Sequence, residues 1–386
     1  MGRRFAGFNY VNFAAMISLI AIGTVAIWSA GHAREAIFHG MWMDHVSGAI
    51  VGLAVYFMLA FLDYRKYLPL FSLPAYVVSV AMLGLVLVVG SEVYGGKRWL
   101  WFFQPSEVAK LCTIVFMAWL FGMEDDYGWK RRFWGFALAS AIAFLPAALI
   151  LVEPDLGTTL ALMPALAAMM LAAGVWRKGF VTVLAICALA AALLLGAVHE
   201  AEKPGQTEER RAKIERFIPL RPHQVKRVKT FLFPETDPMG AGYNYRQAIT
   251  AIGSGGFSGK GIGKAETNAL QYLPPSVSLN DFIFCVYAEE TGYAGSLTLI
   301  GLFAALCLSG LWTAYRATDA MGRLMSLGLV TLVFAHAYVN IAMSIGLVPI
   351  TGLPLPFISS GRTFLITVMA AFGLMQSVAM HRKEET

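Results

Sequence analysis

Asp281 sits in the stretch Leu270–Gly292, LQYLPPSVSLNDFIFCVYAEETG, where a polar loop gives way to a long apolar run. Pro274 and Pro275 end any helix upstream, and Ser278 and Asn280 are good N-cap types. Asp281 is therefore expected at or beside the first turn of a membrane helix, at the water boundary. An ionisable side chain there is a candidate functional group; the plainer alternative is an acid favoured by the helix macrodipole. Glu107 and Lys110 lie three residues apart inside another apolar run, QPSEVAKLCTIVFMAWL, and so share one helix face. Such a pair is costly near a membrane unless it lines a wet cavity or binds something, although a structural pair is also open. Glu153 and Asp155 flank a proline. Paired carboxylates invite a glycosidase reading, but two residues apart in a turn they more often position a loop. Glu289 and Glu290 fall inside the run that follows Asp281, about 12 Å deeper.

A glycine-rich stretch precedes Asp281. Gly253, Gly255, Gly256, Gly259, Gly261 and Gly263 crowd together, with Lys260 and Lys264 among them. No Walker GxxxxGK[ST] is present. Backbone N–H groups beside those lysines can still cradle a pyrophosphate, a weak signal by itself. Upstream, Lys213, Arg216, Arg221, Lys226, Arg227 and Lys229 form a basic run that is either a solvated loop or a surface for an anionic headgroup. Near the C-terminus, GLVPITGLPLPFISSGRT carries Pro349, Pro354 and Pro356. A rigid non-helical segment at membrane depth must be buried in protein or line a cavity.

The elements that must position these groups are membrane helices. Of 386 residues, 58% are hydrophobic and only 14% are charged, against roughly 25% charged in soluble proteins. The net charge of +6 reflects topology, because most basic residues lie in short connections between apolar runs; it is no nucleic-acid signal. Cys112, Cys187, Cys285 and Cys307 all fall in apolar runs, with no metal-ligand or disulfide spacing. His336 is the one histidine deep in an apolar run, and it reads as a hydrogen-bonded interior residue. Arg3 and Arg4 precede a run too long for a signal peptide, so the first segment is expected to stay as an anchor.

At about 20 apolar residues per span, ten segments emerge: Phe8–Ala30, Met41–Leu62, Leu68–Val89, Pro105–Gly122, Phe133–Val152, Gly157–Val175, Phe180–Val198, Asp281–Leu311, Leu324–Val348 and Phe364–His381. The expected fold is all-α: one polytopic membrane domain over 1–386, with about ten transmembrane helices and one large extracytoplasmic loop, 199–280, between helices seven and eight. With the N-terminus inside, the inner short segments hold Arg3, Arg4, Arg65, Lys66, Lys130, Arg131, Arg132, Arg177, Lys178, Arg316, Arg323, Arg382 and Lys383. The outer ones hold only Arg34, Lys97, Arg98 and Arg362. That bias puts both termini in the cytoplasm.

Six segments resemble the SEDS family (shape, elongation, division and sporulation), and within it the RodA type. They are GGKRW at Gly95–Trp99, QPSE at Gln104–Glu107 with Lys110, EPDLGT at Glu153–Thr158, AIGSGGFSGKGIG at Ala251–Gly263, LPPSVSLNDFIFCVYAEETG at Leu273–Gly292 and TGLPLPFISSG at Thr351–Gly361. They span most of the chain in the family's order. The resemblance implies polymerisation of lipid II into glycan strands on the outer face of the bacterial cytoplasmic membrane, during cell elongation and shape maintenance or in division. It implies as partners a class B penicillin-binding protein, lipid II and undecaprenyl-pyrophosphate lipid, and other elongation-complex membrane proteins. The family's essential aspartate maps onto Asp281, and its intramembrane acid and base onto Glu107 and Lys110. Two departures stand out. The usual threonine before the aspartate is Asn280, and the usual SYGG after PLPF is Ser359-Ser360-Gly361-Arg362, which removes an aromatic and a glycine.

Glycan polymerisation joins a sugar hydroxyl of one lipid-linked disaccharide to the anomeric carbon of another and expels a lipid pyrophosphate. It needs a base at the hydroxyl and positive charge at the leaving group. Asp281 is the candidate base. Lys97, Arg98, Lys110, Arg216, Arg246, Lys260 and Arg362 are candidate cations, and a divalent cation, Mg or Mn, could share that role. A lipid II flippase is the alternative. It should show polar residues at both faces, whereas the densest segments crowd the outer one.

Overall fold

The computed structural model describes residues 7–32, 40–93, 96–100, 103–123, 128–153, 155–201, 222–264 and 272–382. In chain order the helices are α1 (Tyr10–His32), α2 (Met41–Phe61), α3 (Tyr64–Val89), α4 (Pro105–Gly122), α5 (Phe133–Val152), α6 (Leu156–Ala172) and α7 (Arg177–Ala201). They continue as α8 (Pro222–Leu232), α9 (Ala241–Ser254), α10 (Pro275–Asn280), α11 (Ile283–Arg316), α12 (Ala320–Ser344) and α13 (Arg362–Met380). A small antiparallel hairpin, β1 (Ser91–Val93) and β2 (Gly96–Trp99), adds the one strand pair seen among the described residues to the expected all-α fold. Nine of these helices are long and apolar enough to cross a membrane, and α6 is a shorter apolar helix. The ten expected spans are thus all helical, and the chain is a multi-pass membrane protein. At 17 residues, α6 rises about 26 Å, a little less than the ~30 Å hydrocarbon core.

Two apolar cores hold the bundle. One gathers α1, α2, α11 and α13 around Tyr56, Phe282, Phe357 and Phe372. The other gathers α4, α5, α6 and α12 around Ile114, Met117, Leu162 and Met169. The proline-rich segment joins them, since Leu353 belongs to the second core and Leu355 to the first. Helix α13 is buried over most of its length. By contrast α7 buries only Gly179, Val198 and Ala201 among its described residues, and it is apolar on every side, as a lipid-facing helix must be.

Several boundaries differ from expectation, and two of them show the physical reason most directly. Helix α3 starts at Tyr64, four residues early, because Asp63 caps it by accepting from the Arg65 N–H at 3.2 Å. Arg65 turns its charge to Asp319, so the first turn tolerates it. The eighth span does not begin at Asp281. Asp281 closes the short helix α10 instead, Phe282 breaks the helical path at φ −114, and α11 starts at Ile283.

Candidate active site

Pro275 opens α10 at its first position, where a missing N–H costs nothing. The Asp281 N–H donates to the Val277 carbonyl at 2.9 Å. Leu279 and Phe282, on either side of it, are fully buried and anchor the turn. The Asp281 carbonyl accepts from the Asn340 amide of α12 at 2.9 Å, and the same amide donates to the Leu353 carbonyl at 2.6 Å. The proline-rich segment then passes the carboxylate. Gly352 has φ 76, and a Cβ there would stand 3.4 Å from Asp281 Oδ2, so glycine serves both the turn and the close approach. The segment is held to its shape: Phe357 is 1% exposed at φ 65, a conformation costing of order 1–3 kcal/mol in a non-glycine residue.

Among the described residues, no hydrogen bond reaches the Asp281 carboxylate. Burial pushes its pKa up from 3.8 to about 6; Arg227 pulls it down, Asp155 pushes it up and Arg98 pulls it down. These three charges come from three separate elements. Arg227 of α8 donates to the Thr351 carbonyl, next to Gly352, at 3.0 Å. Burial lowers the Arg227 pKa and Arg98 lowers it further, against Asp281 and Asp155. Asp155 caps α6, accepting from the Thr158 N–H at 3.1 Å and from the Gln104 amide at 3.2 Å. Arg98 of β2 donates to the Glu153 carbonyl at 3.2 Å. The Glu153 carboxyl is 1% exposed, and neither of its oxygens has a hydrogen-bond partner among the described residues. Burial raises it to about 8, with Asp155 adding and Arg98 opposing. The expected turn between α5 and α6 is therefore a charged corner of this site, with Asp155 its structural cap.

A second charged group lies within the bundle. Lys110 Nζ stands 3.0 Å from each Glu107 carboxylate oxygen and 3.0 Å from His336 Nε2. It also lies 5.5 Å from the Phe364 ring centroid. His336 is thus the hydrogen-bonded interior residue that the sequence suggests. Asp155 links the two groups, because its charge reaches both Asp281 and Glu107.

The other candidate residues go elsewhere. Lys260 pairs with the buried carboxylate of Glu289, which also accepts from Ser254 at 2.9 Å. The glycine-rich segment wraps the kink of α11 at Gly292, which has φ 69. Its N–H groups, expected to be available to a pyrophosphate, are used inside the protein. Gly259 donates to Gly255, Lys260 to the Glu289 carbonyl, Gly261 to the Glu290 carbonyl, and Gly263 to Ser29. The cradle reading of those amides is corrected to a structural wedge. Arg246 is exposed and donates to the carbonyls of Pro234 and Pro238 at 3.4 and 3.2 Å. Arg362 pairs with Asp44 on α2, both exposed. Lys97 sits in β2, and its side chain lies outside what the structure describes, as does all of Arg216. Spacing missed Arg227, Asn340 and Gln104 as neighbours of Asp281 and Asp155. Arg227 stood only within a basic run, and Gln104 only within a matched segment.

Residues 10–384 match the family described as cell cycle protein, of the FtsW, RodA and SpoVE type. The chain is 34% identical over 373 residues to the peptidoglycan glycosyltransferase MrdB of Escherichia coli K12, covering 95% of this chain and 92% of MrdB. It is 31% identical over 388 residues to the probable peptidoglycan glycosyltransferase FtsW of Trichlorobacter lovleyi, covering 97% and 94%. Among solved structures, a chain of a peptidoglycan synthase complex that coordinates polymerization and crosslinking superposes with a TM-score of 0.76 at 27% identity, covering 98% of this chain and 99% of that one. The rod shape determining protein RodA of Thermus thermophilus shares the fold, with a TM-score of 0.68 at 24% identity over 98% of each chain.

Proposed function

This chain belongs to the FtsW, RodA and SpoVE family of cell cycle proteins, and from that premise we propose that it is a peptidoglycan glycosyltransferase that polymerises lipid II during cell elongation. The observation that carries the chemistry is Asp281, a half-buried acid with a fixed backbone, whose carboxylate meets no hydrogen-bond donor among the described residues and feels the charges of Arg227 and Arg98. With a pKa of about 6 the carboxylate is about nine-tenths ionised at pH 7, close to the ideal for a general base. It takes the proton of the acceptor sugar hydroxyl. The hydroxyl oxygen forms the new bond to the anomeric carbon of the donor, and the bond from that carbon to the lipid pyrophosphate breaks with its electron pair. Arg227 and Arg98 stand where they neutralise the departing pyrophosphate, the larger share of the work in such a transfer. The Glu107–Lys110–His336 group lies within electrostatic reach of Asp155, whose charge also acts on Asp281.

Among the described residues no three His, Cys, Asp or Glu side chains lie close enough to hold a metal ion. The described residues thus offer no such three-ligand site for a resident Mg or Mn ion. A divalent cation would enter on the pyrophosphate itself, and no step here runs through it. The site lies at the outer face of the bacterial cytoplasmic membrane, with both termini inside, in keeping with the basic bias of the short segments. A class B penicillin-binding protein crosslinks the product, and undecaprenyl pyrophosphate leaves into the lipid. The test is purified protein, with that partner, supplied with lipid II and assayed for polymer on a gel. Polymer supports the reading. Its absence, with lipid II transported across vesicles instead, overturns it.

A further inference from the structure

The last three carbonyls of the turn that carries Asp281 are each held from outside it. The Leu279 carbonyl accepts from the Ser360 N–H at 3.1 Å, the Asn280 carbonyl from the Ser359 hydroxyl at 2.6 Å, and the Asp281 carbonyl from Asn340 at 2.9 Å. These are end-of-helix carbonyls with no partner inside α10, and a helix of six residues is far too short to persist alone. The proline-rich segment, together with Asn340 of α12, therefore gives this turn its shape. Ser359 completes the stitch, since its hydroxyl also accepts from the Leu355 N–H at 2.8 Å. One bond in the set joins two side chains: the Ser360 hydroxyl donates to Asn280 Oδ1 at 2.6 Å.

Those two side chains are two of the three positions, with Arg362, at which the sequence departs from the family pattern around the aspartate. Asn280 replaces the usual threonine, and Ser360 replaces the usual aromatic. They read as independent changes in the sequence and are the two ends of one hydrogen bond in the fold. The geometry has a simple logic. A serine hydroxyl is short, and the asparagine carbonyl reaches one bond further than a threonine hydroxyl would. Threonine at 280 would leave Ser360 without its acceptor, and tyrosine at 360 would carry its hydroxyl past Asn280.

We propose that Asn280 and Ser360 are a matched pair of positioning residues, a latch that joins the proline-rich segment to the turn of Asp281 and fixes the direction of its carboxylate. This rests on the reading of Asp281 as the base. The latch does not touch substrate. It acts through the residue beside it, so its loss misplaces the carboxylate and leaves substrate binding in place; a misplacement of about 1 Å costs up to about 100-fold in rate.

The test is a double-mutant cycle in the full-length protein with its crosslinking partner and lipid II: Asn280→Ala, Ser360→Ala and the double variant, beside Asp281→Asn. Each single change is expected to lower kcat about tenfold, with KM for lipid II within about twofold and unchanged detergent melting. The double variant should be no slower than the slower single one, because the second change removes a partner already lost. Loosening the turn also admits water to the carboxylate while Arg227, Asp155 and Arg98 stay in place from their own elements. The acid limb of the rate profile should then move to lower pH in both single variants. Ser360→Thr keeps the hydroxyl and should restore at least half the rate. Losses that multiply in the double variant, or singles that match wild type while Asp281→Asn is inactive, overturn the latch and leave the base standing. An active Asp281→Asn overturns the base and the latch with it.

Discussion

Two acids within about two turns of each other are treated in opposite ways. Glu289, in the second turn of α11, is fully buried, and its carboxylate takes the Lys260 ammonium and the Ser254 hydroxyl. The backbone around it accepts the N–H groups of Lys260 and Gly261 at 3.0 and 2.9 Å. Asp281, just before α11, has a backbone held as firmly, but its carboxylate meets no donor among the described residues and feels arginines only across space. Burial of a charge demands compensation. Where the side chain itself is compensated, the acid serves the fold. Where the compensation goes to the backbone and the carboxylate feels two guanidiniums only through space, the acid is set up for something that arrives later.

The strongest way to break this contrast is to remove the carboxylate charge at one end of it. Asp281→Asn keeps size and suits a helix end in the right-handed region, where Asp281 sits at φ −78 and ψ −35. Folding should not change. The loss of a general base predicts glycan polymerisation slower by about 10²–10⁴-fold, read as polymer per time on a gel beside matched melting curves. Polymer at a near-normal rate would make Asp281 an acid of the same kind as Glu289.

The converse change should invert the pattern. Glu289→Ala takes the carboxylate from the Lys260 ammonium, while the Ser254 hydroxyl keeps the Ala251 carbonyl, and breaking one side of a buried pair costs about 3–5 kcal/mol. Lys260 keeps 31% of its side chain exposed, so the lower end of that range applies. The expected outcome is a clear fall in melting temperature, with near-normal turnover by the fraction that stays folded. Unchanged melting with lost activity would move Glu289 into the reaction and return Lys260 to the candidates for holding pyrophosphate.

The difference between these acids was only half visible in the sequence. Spans were legible because lipid demands long apolar runs: Pro105–Gly122 and Phe133–Val152 agree residue for residue with α4 and α5. The break between α10 and α11 was not, since no glycine or proline marks Phe282. Asp281 and Arg98 were named from their types and from the family likeness. Arg227 and Asn340 were not placed with Asp281, because their meeting is tertiary. Asn340 is 59 residues from Asp281, and Arg227 arrives by way of a bond to Thr351 that spans 124 residues. The glycine-rich segment shows the same limit. Its composition is equally suited to cradling a pyrophosphate and to fitting a kinked helix, and only the partners of its N–H groups decide between them.

Acidity sharpens the contrast at a smaller scale. A base works only when deprotonated, so activity should be full above a pKa of about 6 and fall as pH drops through it. One unit lower, about a tenth of the carboxylate is ionised, which predicts kcat/KM roughly tenfold down. Arg227 and Arg98 depress this value and Asp155 raises it. Arg227→Gln should therefore move the acid limb to higher pH, and a limb that stays put in that variant would detach Arg227 from the carboxylate. A profile flat from pH 7 to pH 4.5 would mean that Asp281 titrates outside the working range and is no base.

The smallest effect is expected at Arg246, and it marks how far the cationic part of the site extends. Arg246 was a candidate for the pyrophosphate by charge alone. In the fold its guanidinium is exposed on α9 and, among the described residues, bonds to two carbonyls, those of Pro234 and Pro238, at 3.4 and 3.2 Å. Arg227 is the opposite case: partly buried, held against Thr351 and within electrostatic reach of Asp281. A solvated cation loses most of its pull to screening, which sets in within about 8 Å at physiological salt. Surface changes of this kind stay within about 0.5 kcal/mol. Arg246→Ala should accordingly polymerise lipid II within about twofold of wild type, with KM and melting nearly unchanged. A tenfold rise in KM, relieved at low ionic strength, would show that the exposed end of α9 guides the anionic headgroup into the site, and the boundary drawn at Arg98 and Arg227 would have to be widened.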